Sequence, residues 1–417
     1  MARTFSPGRR AFFLSGRDGP AARSLASRMG SSTADLLFPL LFPPTLISVT
    51  PNPGSTFGGE VVDLAGMHFR SGATVVIGGL AATNVVFVSP SHITATTPAH
   101  AAGAVNVTVT NPDGQFSTLT NGYTYAVPSM IIAVGDGGAG ARSLDGGATF
   151  ATLAAMPAGT NWRAVAYGND RFCAVGSAGE CAFSLDGGET WTPSSTGTTD
   201  AYRDMIFAGG RFIAVGVSGG NIAVTRKSTD GITWADGGPN TAAISVAGAV
   251  AFDGTQYAFL GTSGSTVAFY GNSGTSTSWN SQSQAFPVLT FQRNVWTGSQ
   301  FVAVGEAGAA ATSPNGVTYT QRTVPVATNW RGVAWNGAIL SAVGNAGTVF
   351  AITSPDGVTW TNRTAPSGSY QHEIWSTKFS RFVAVGLTTA LIYSPNGIAW
   401  TPGSIPSATW RYLAEKP

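Results

Sequence analysis

From Pro44 onward, apolar and polar positions alternate in short runs, and the three-to-four spacing of an amphipathic helix is never sustained. Between Pro44 and Ala126 the runs are 45–50, 60–65, 74–77, 84–88, 92–96, 104–110 and 122–125. Turn formers separate them: Pro51-Asn52-Pro53-Gly54, Gly58-Gly59, Gly78-Gly79, Ser89-Pro90 and Asn111-Pro112-Asp113-Gly114. Seven short strands in about eighty residues is the arithmetic of an antiparallel sandwich.

From Met130 the sequence repeats. The box S-x-[DN]-G-x-T-[WFY] occurs as SLDGGATF (143–150), SLDGGETW (184–191), STDGITW (228–234), SPNGVTY (313–319), SPDGVTW (354–360) and SPNGIAW (394–400). Its acidic or amide position is Asp145, Asp186, Asp230, Asn315, Asp356 and Asn396, with successive gaps of 41, 44, 85, 41 and 40 residues. The long gap holds a degenerate copy, NSGTSTSW, ending at Trp279, so there are seven units. A second marker precedes the boxes, as in RFCAVG (171), RFIAVG (211), FVAVGE (301) and RFVAVG (381). A third opens most units, as in NWRAVAYG (161), AYRDMIFA (201), NWRGVAWN (329) and TWRYLA (409). Each unit therefore reads as a four-stranded meander, a propeller blade. The first unit lacks its opening strand and the C-terminus carries a spare one. Residues 409–414 are expected to become the innermost strand of the first blade, because an open ring would leave two sheet edges unpaired.

Composition agrees. Glycine is 54 of 417 residues and charged residues are 10%, a chain neither disordered nor helical in character. The net charge of +2 excludes a nucleic-acid coat, and no apolar run is long enough for a membrane helix. Residues 1–43 differ: Arg3, Arg9, Arg10, Arg17, Arg23 and Arg28 face Asp18 and Asp35, and the apolar pieces are too short for a core. The composition also fits a transit peptide. The reading adopted is an uncleaved basic arm that docks on a partner chain. Cys173 and Cys181 fall on the two strands of one hairpin, within reach of a disulfide or as two reduced thiols. His68, His92 and His100 lack ligand spacing, so no metal site and no cofactor is expected.

Two resemblances follow from these motifs. SVTPNPGSTFGGEVVDLAG, VVIGG, ITATTPA, GAVNVTVTNPDG and the closing YTY resemble the IPT/TIG family of immunoglobulin-like modules, which implies a spacer or interaction sandwich. The box resembles the Asp-box repeat of sialidases and of many unrelated propellers, where it holds a turn together. Asn at 315 and 396 keeps the turn acceptor and drops the charge, which points to a structural box. The fold expected is all-β: arm 1–43, immunoglobulin-like sandwich 44–126, and a seven-bladed propeller 127–417 closed by its C-terminal strand.

Strand order places the Trp-Arg pairs on the face opposite the boxes, around the axis. They are Trp162-Arg163, Tyr202-Arg203, Trp330-Arg331 and Trp410-Arg411, with Gln292-Arg293 in the equivalent place of a fifth blade. Five guanidinium groups beside aromatic faces suit an anionic glycan, a phosphate or an acidic peptide. Alternatively the Trp side chains pack between blades and the Arg side chains pair with Asp136, Glu180, Asp204 or Glu306. The sialidase resemblance would press Tyr202, Asp204 and Glu373 into catalysis, but no segment outside the boxes matches that family's catalytic motifs, so no enzyme is expected. The layout resembles modular surface proteins of tailed bacteriophages. It implies a virion protein (tail fibre, tail tip or head decoration) that is held in an oligomeric assembly by 1–43 and adheres to a host surface through the propeller, with no nucleic-acid partner and no membrane insertion. A cellular assembly scaffold and a glycoside hydrolase are the alternatives.

Overall fold

A computed structural model describes residues 42–154, 156–237, 246–263, 265–272, 280–283, 290–345 and 347–417. Residues 1–41 of the basic arm, Ile244 and all but the first residue of the degenerate box lie outside them. The chain divides into two compact units, one ending at Pro128 and the other running Ser129–Pro417.

The first unit is a sandwich of a four-stranded and a five-stranded sheet. All seven alternating runs form strands. Two short ones, Gly54–Ser55 and Leu80–Ala81, join them, and the last strand is longer than its pattern, Phe116–Ala126. Alternation sends Val62, Leu64, Ile77, Ile93, Val107 and Val109 into a core closed by Tyr123 and Tyr125. The Tyr123 hydroxyl donates to Glu60 at 2.8 Å, which satisfies the polar tip of an otherwise buried ring.

Among the described residues the second unit holds five four-stranded antiparallel sheets and one eight-stranded sheet, in which the C-terminal strand joins a first and a seventh four-stranded meander. The second meander is typical: Trp162–Gly168, Arg171–Gly176, Glu180–Ser184 and Thr192–Ser195, paired in chain order. In the first, Met130–Gly135 pairs with the C-terminal strand Ala408–Lys416, from Met130 opposite Lys416 to Gly135 opposite Trp410. The same strand also pairs with the seventh meander, at Leu387 with Thr409 and Thr388 with Ala408. The innermost strands neighbour one another in an unbroken cycle, which closes the propeller.

The boxes are turns that consume their own polar groups. Asp356 accepts from the amides of Thr359 (2.8 Å) and Val358 (2.9 Å) and from the Ser354 hydroxyl (3.1 Å). Asn396 accepts from Ile398 (2.9 Å), Ala399 (3.2 Å) and Ser394 (3.2 Å) in the same way, so the carboxylate charge is dispensable there. Asp145, Asp186, Asp230 and Asn315 make equivalent bonds. The amides of Thr233 and Ile232 hold the Asp230 carboxyl below the usual carboxylate range. Gly357 at φ +68° supplies the left-handed step, and a Cβ there would meet Val302 of the preceding blade at 2.9 Å. The closing Trp360 packs with Val302 and Trp330, across the blade boundary.

Cys173 and Cys181 are both buried and free, with their sulfurs 3.5 Å apart. They sit diagonally across the hairpin, since Cys173 lies opposite Phe183 and Cys181 opposite Val175.

Candidate functional site

Each innermost strand begins with the same irregularity. In the second blade Trp162 pairs with Gly176 and Ala164 with Val175, so Arg163 is the extra residue of a bulge. The same shift follows Tyr202, Ala247, Phe291, Trp330 and Tyr370, and precedes Tyr412 in the C-terminal strand. The bulge separates two neighbouring side chains. The aromatic turns into the wall and the following residue turns to the axis.

The register therefore defines a ring of seven positions: Arg163, Arg203, Gly248, Gln292, Arg331, Gln371 and Arg411. All seven, with Arg293, line one cavity of ≈ 90 Å³. Arg293 is not a ring member, in contrast to the sequence expectation. The bulged residue of its blade is Gln292, and Arg293 sits one step deeper.

Two carboxylates serve the four ring arginines. Asp136 bridges Arg163 (3.1 Å) and Arg411 (2.7 Å), and Glu306 pairs with Arg331 at 2.9 Å and accepts from Gln292 at 3.2 Å. Glu180 instead accepts from the Ala178 amide, and Asp204 faces the interior. Arg203 is exposed and has no carboxylate within salt-bridge distance among the described residues. Arg293 is held by the carbonyls of Gln292 (2.7 Å) and Gly248 (3.2 Å), and its Nε has no partner. Four ring guanidinium groups against two carboxylates leave two positive charges in excess, while Arg293, one step deeper, faces the Asp204 carboxyl. Burial, and then the guanidinium groups of Arg411 and Arg203, hold Arg163 below the ordinary arginine value in spite of Asp136. Burial likewise lowers Arg331, against Glu306, with Arg293 and Arg411 adding to the repulsion.

The aromatic half of the expected site is corrected. Trp162, Tyr202, Trp330 and Trp410 are at most 1% exposed and cannot stack on a ligand. The Trp410 indole donates to the Pro406 carbonyl at 2.9 Å, and Tyr202 shares a hydrogen bond with Thr198 at 2.9 Å. They are wall residues, because the bulge directs only the following side chain to the mouth.

Beneath the ring lies a layer that sequence reasoning missed. The next register position holds Ala164, Asp204, Ala249, Arg293, Gly332, His372 and Tyr412. Four of these are polar and interlock across the axis. Tyr412 donates to Asp204, which also accepts from the amides of Met205 and Val250, each at 2.9 Å. His372 stacks on the Tyr412 ring at 3.7 Å and accepts from the Leu413 amide, so its Nδ1 is unprotonated. The Arg293 guanidinium lies 5.0 Å from the same ring. Burial, reinforced by Arg293, pushes His372 well below the usual imidazole value. One step further in, burial raises the Glu373 carboxyl to about 8. Tyr202, Asp204 and Glu373, the residues a hydrolase reading would use, are thus each buried in the wall or in this layer.

Residues 44–125 match the IPT/TIG domain family. The sandwich is similar to that family of domains. No curated protein matches the chain. Among solved structures it is similar to YCF48 bound to a D1 peptide (16% identity, 61% of this chain and 84% of that one, TM-score 0.48). It is also similar to YCF48 from Cyanidioschyzon merolae (15% identity, 61% and 87%, TM-score 0.46). A third likeness is to an auxiliary nutrient binding protein from Bacteroides thetaiotaomicron (11% identity, 82% and 95%, TM-score 0.39). Among the described residues no helix is long and apolar enough to cross a membrane, and no group of three metal-ligating side chains occurs.

Proposed function

We propose that this protein is a non-catalytic binding protein whose propeller takes an anionic ligand at the arginine ring, with the IPT/TIG-like domain as spacer. The observation that carries the reading is the excess of two positive charges in the arginine ring around one small cavity. Like charges held together by a scaffold are costly unless an anion joins them. Arg203 and the unpartnered Nε of Arg331 are the free donors. A carboxylate or phosphate accepts from such groups in pairs.

The finer reading is a structural protein of a tailed-bacteriophage particle. The basic segment 1–43 would attach it to other particle proteins, and the propeller would engage an anionic glycan or another acidic host-surface group. What supports it is the order of parts along the chain: arm, spacer, head. In an assembly scaffold the same ring would instead hold an acidic peptide.

Binding of sialylated, sulfated and phosphorylated glycans and of acidic peptides to the full chain tests the first reading. Arg163→Ala with Arg331→Ala should weaken it at least tenfold, and a double variant that binds as wild type overturns the site. Immunolabelling of purified particles tests the second. Label on tail or head supports it, and particles without the protein overturn it.

A further inference from the structure

The innermost strands carry a second repeated feature at their far ends. The register aligns Tyr167, Phe207, Phe252, Trp296, Trp335 and Trp375, with Glu415 as the seventh. The six aromatics are half-buried. Rings of the next strand back several of them, as Phe172 backs Tyr167 (4.9 Å) and Phe382 backs Trp375 (4.8 Å). This end of the axis is the box face: the Arg171 guanidinium, beside the inner hairpin, donates to the Asp230 carbonyl of the next blade's box at 2.8 Å.

Here the axis opens into a cavity of ≈ 360 Å³, separated from the arginine ring by the Asp204–Arg293–His372–Tyr412 layer. Tyr167, Phe207, Trp335 and Trp375 line its mouth. Arg293, Asn294 and Glu373 line its interior. Arg293 Nε and Asn294 Oδ1 are buried without hydrogen-bond partners, and the Glu373 carboxyl, buried likewise, has only the Ser341 hydroxyl beside it, at less than good hydrogen-bond geometry. Such groups cost free energy until something meets them. The cavity is of the size that takes small molecules.

We propose that this cavity is a second binding site, distinct from the arginine ring, for an uncharged sugar residue held against the aromatic collar with its hydroxyls on Arg293, Asn294 and Glu373. The chemistry discriminates among ligand classes. An organic cation would meet the Arg293 guanidinium inside and the Lys416 ammonium, which already lies 5.8 Å from the Tyr167 ring. An anion would meet the Asp204 and Glu415 carboxylates. A purely apolar molecule would leave the unpartnered donor and acceptors unmet. Burial keeps Glu373 protonated near neutral pH, so it offers a donor and an acceptor to a hydroxyl. The aromatic collar supplies flat apolar faces for the C–H face of a pyranose ring.

The test is saturation-transfer NMR and calorimetry on the full chain with methyl β-glucoside, methyl β-galactoside and methyl N-acetyl-β-glucosaminide. Benzyltrimethylammonium and benzoate serve as charged probes. Saturable millimolar binding of at least one glycoside, unchanged in the Arg163→Ala/Arg331→Ala variant, is expected. Trp335→Leu and Glu373→Leu should each cost about tenfold, as for one lost stacking or hydrogen-bonding partner. Glu373→Gln, uncharged and of the same shape, should keep binding, which separates recognition from loss of fold. No glycoside binding up to the solubility limit, stronger binding of either charged probe, or binding lost in the arginine variant and kept in Trp335→Leu would each overturn the proposal.

Discussion

At the scale of single residues, two acids set the chemistry of the axis. Asp136 neutralises both Arg163 and Arg411. Asp136→Asn should raise the excess charge of the ring from two to three. Anion binding is then expected to tighten while the melting temperature falls, both checked on the same variant by calorimetry. Glu373 acts through its proton. Its folded value of about 8 lies above the ordinary 4.5, so between these pH values the folded chain holds a proton that the unfolded chain has lost. Stability is therefore full below about pH 4.5, declines as pH rises by up to about 1.4 kcal/mol per unit, and has lost this contribution above about pH 8. Asp204, raised by burial, acts in the same direction from its own lower starting value. Glu373→Gln should flatten the decline, and denaturant titrations of both proteins at pH 5, 7 and 9 measure it. Equal slopes would show that Glu373 ionises in the folded state without cost.

At the scale of elements, the repeat made the blades and the clasp legible in the sequence, and the bulge limited what could be read of the site. Counting from the Trp-Arg pair places the guanidinium groups correctly in four blades. In the fifth, Phe291 holds the wall position, so the count slips by one and Arg293 is read as a ring member although it sits a step deeper. The same bulge explains why Trp162, Trp330 and Trp410 looked like ligand-facing residues and are wall residues. The interlocked layer beneath left no signal because its column holds Ala164, Ala249 and Gly332 beside Asp204, Arg293, His372 and Tyr412, with no residue type repeated enough to mark it. The boxes were legible because their chemistry is local. Asp356→Ala should cost about 1–2 kcal/mol by leaving the amides of Thr359 and Val358 without their acceptor. Asp356→Asn should cost far less, since Asn315 and Asn396 already do the same work. Thermal melts of the two variants make the comparison.

At the scale of the whole molecule, closure of the ring is what creates the arginine site, because the site has no existence within one blade. Arg411 arrives from the end of the chain and meets Asp136, which follows the strand it completes. The clasp strand covers Met130–Val134, whose side chains are fully buried, and ties the first meander to the seventh. Removing 411–417 should thus do two things at once. It should expose an apolar sheet edge, a template for pairing with other chains, so that loss of soluble monomer is expected in size-exclusion chromatography. It should also remove one ring charge and the second partner of Asp136, so anion binding should fall even in whatever monomer survives. Arg411→Ala in the full chain separates the two effects: it should keep the monomer and the clasp, and weaken anion binding alone. A truncated chain that stays monomeric with an unchanged melting temperature would mean that the first meander is stable with three strands and that closure does not depend on the C-terminus.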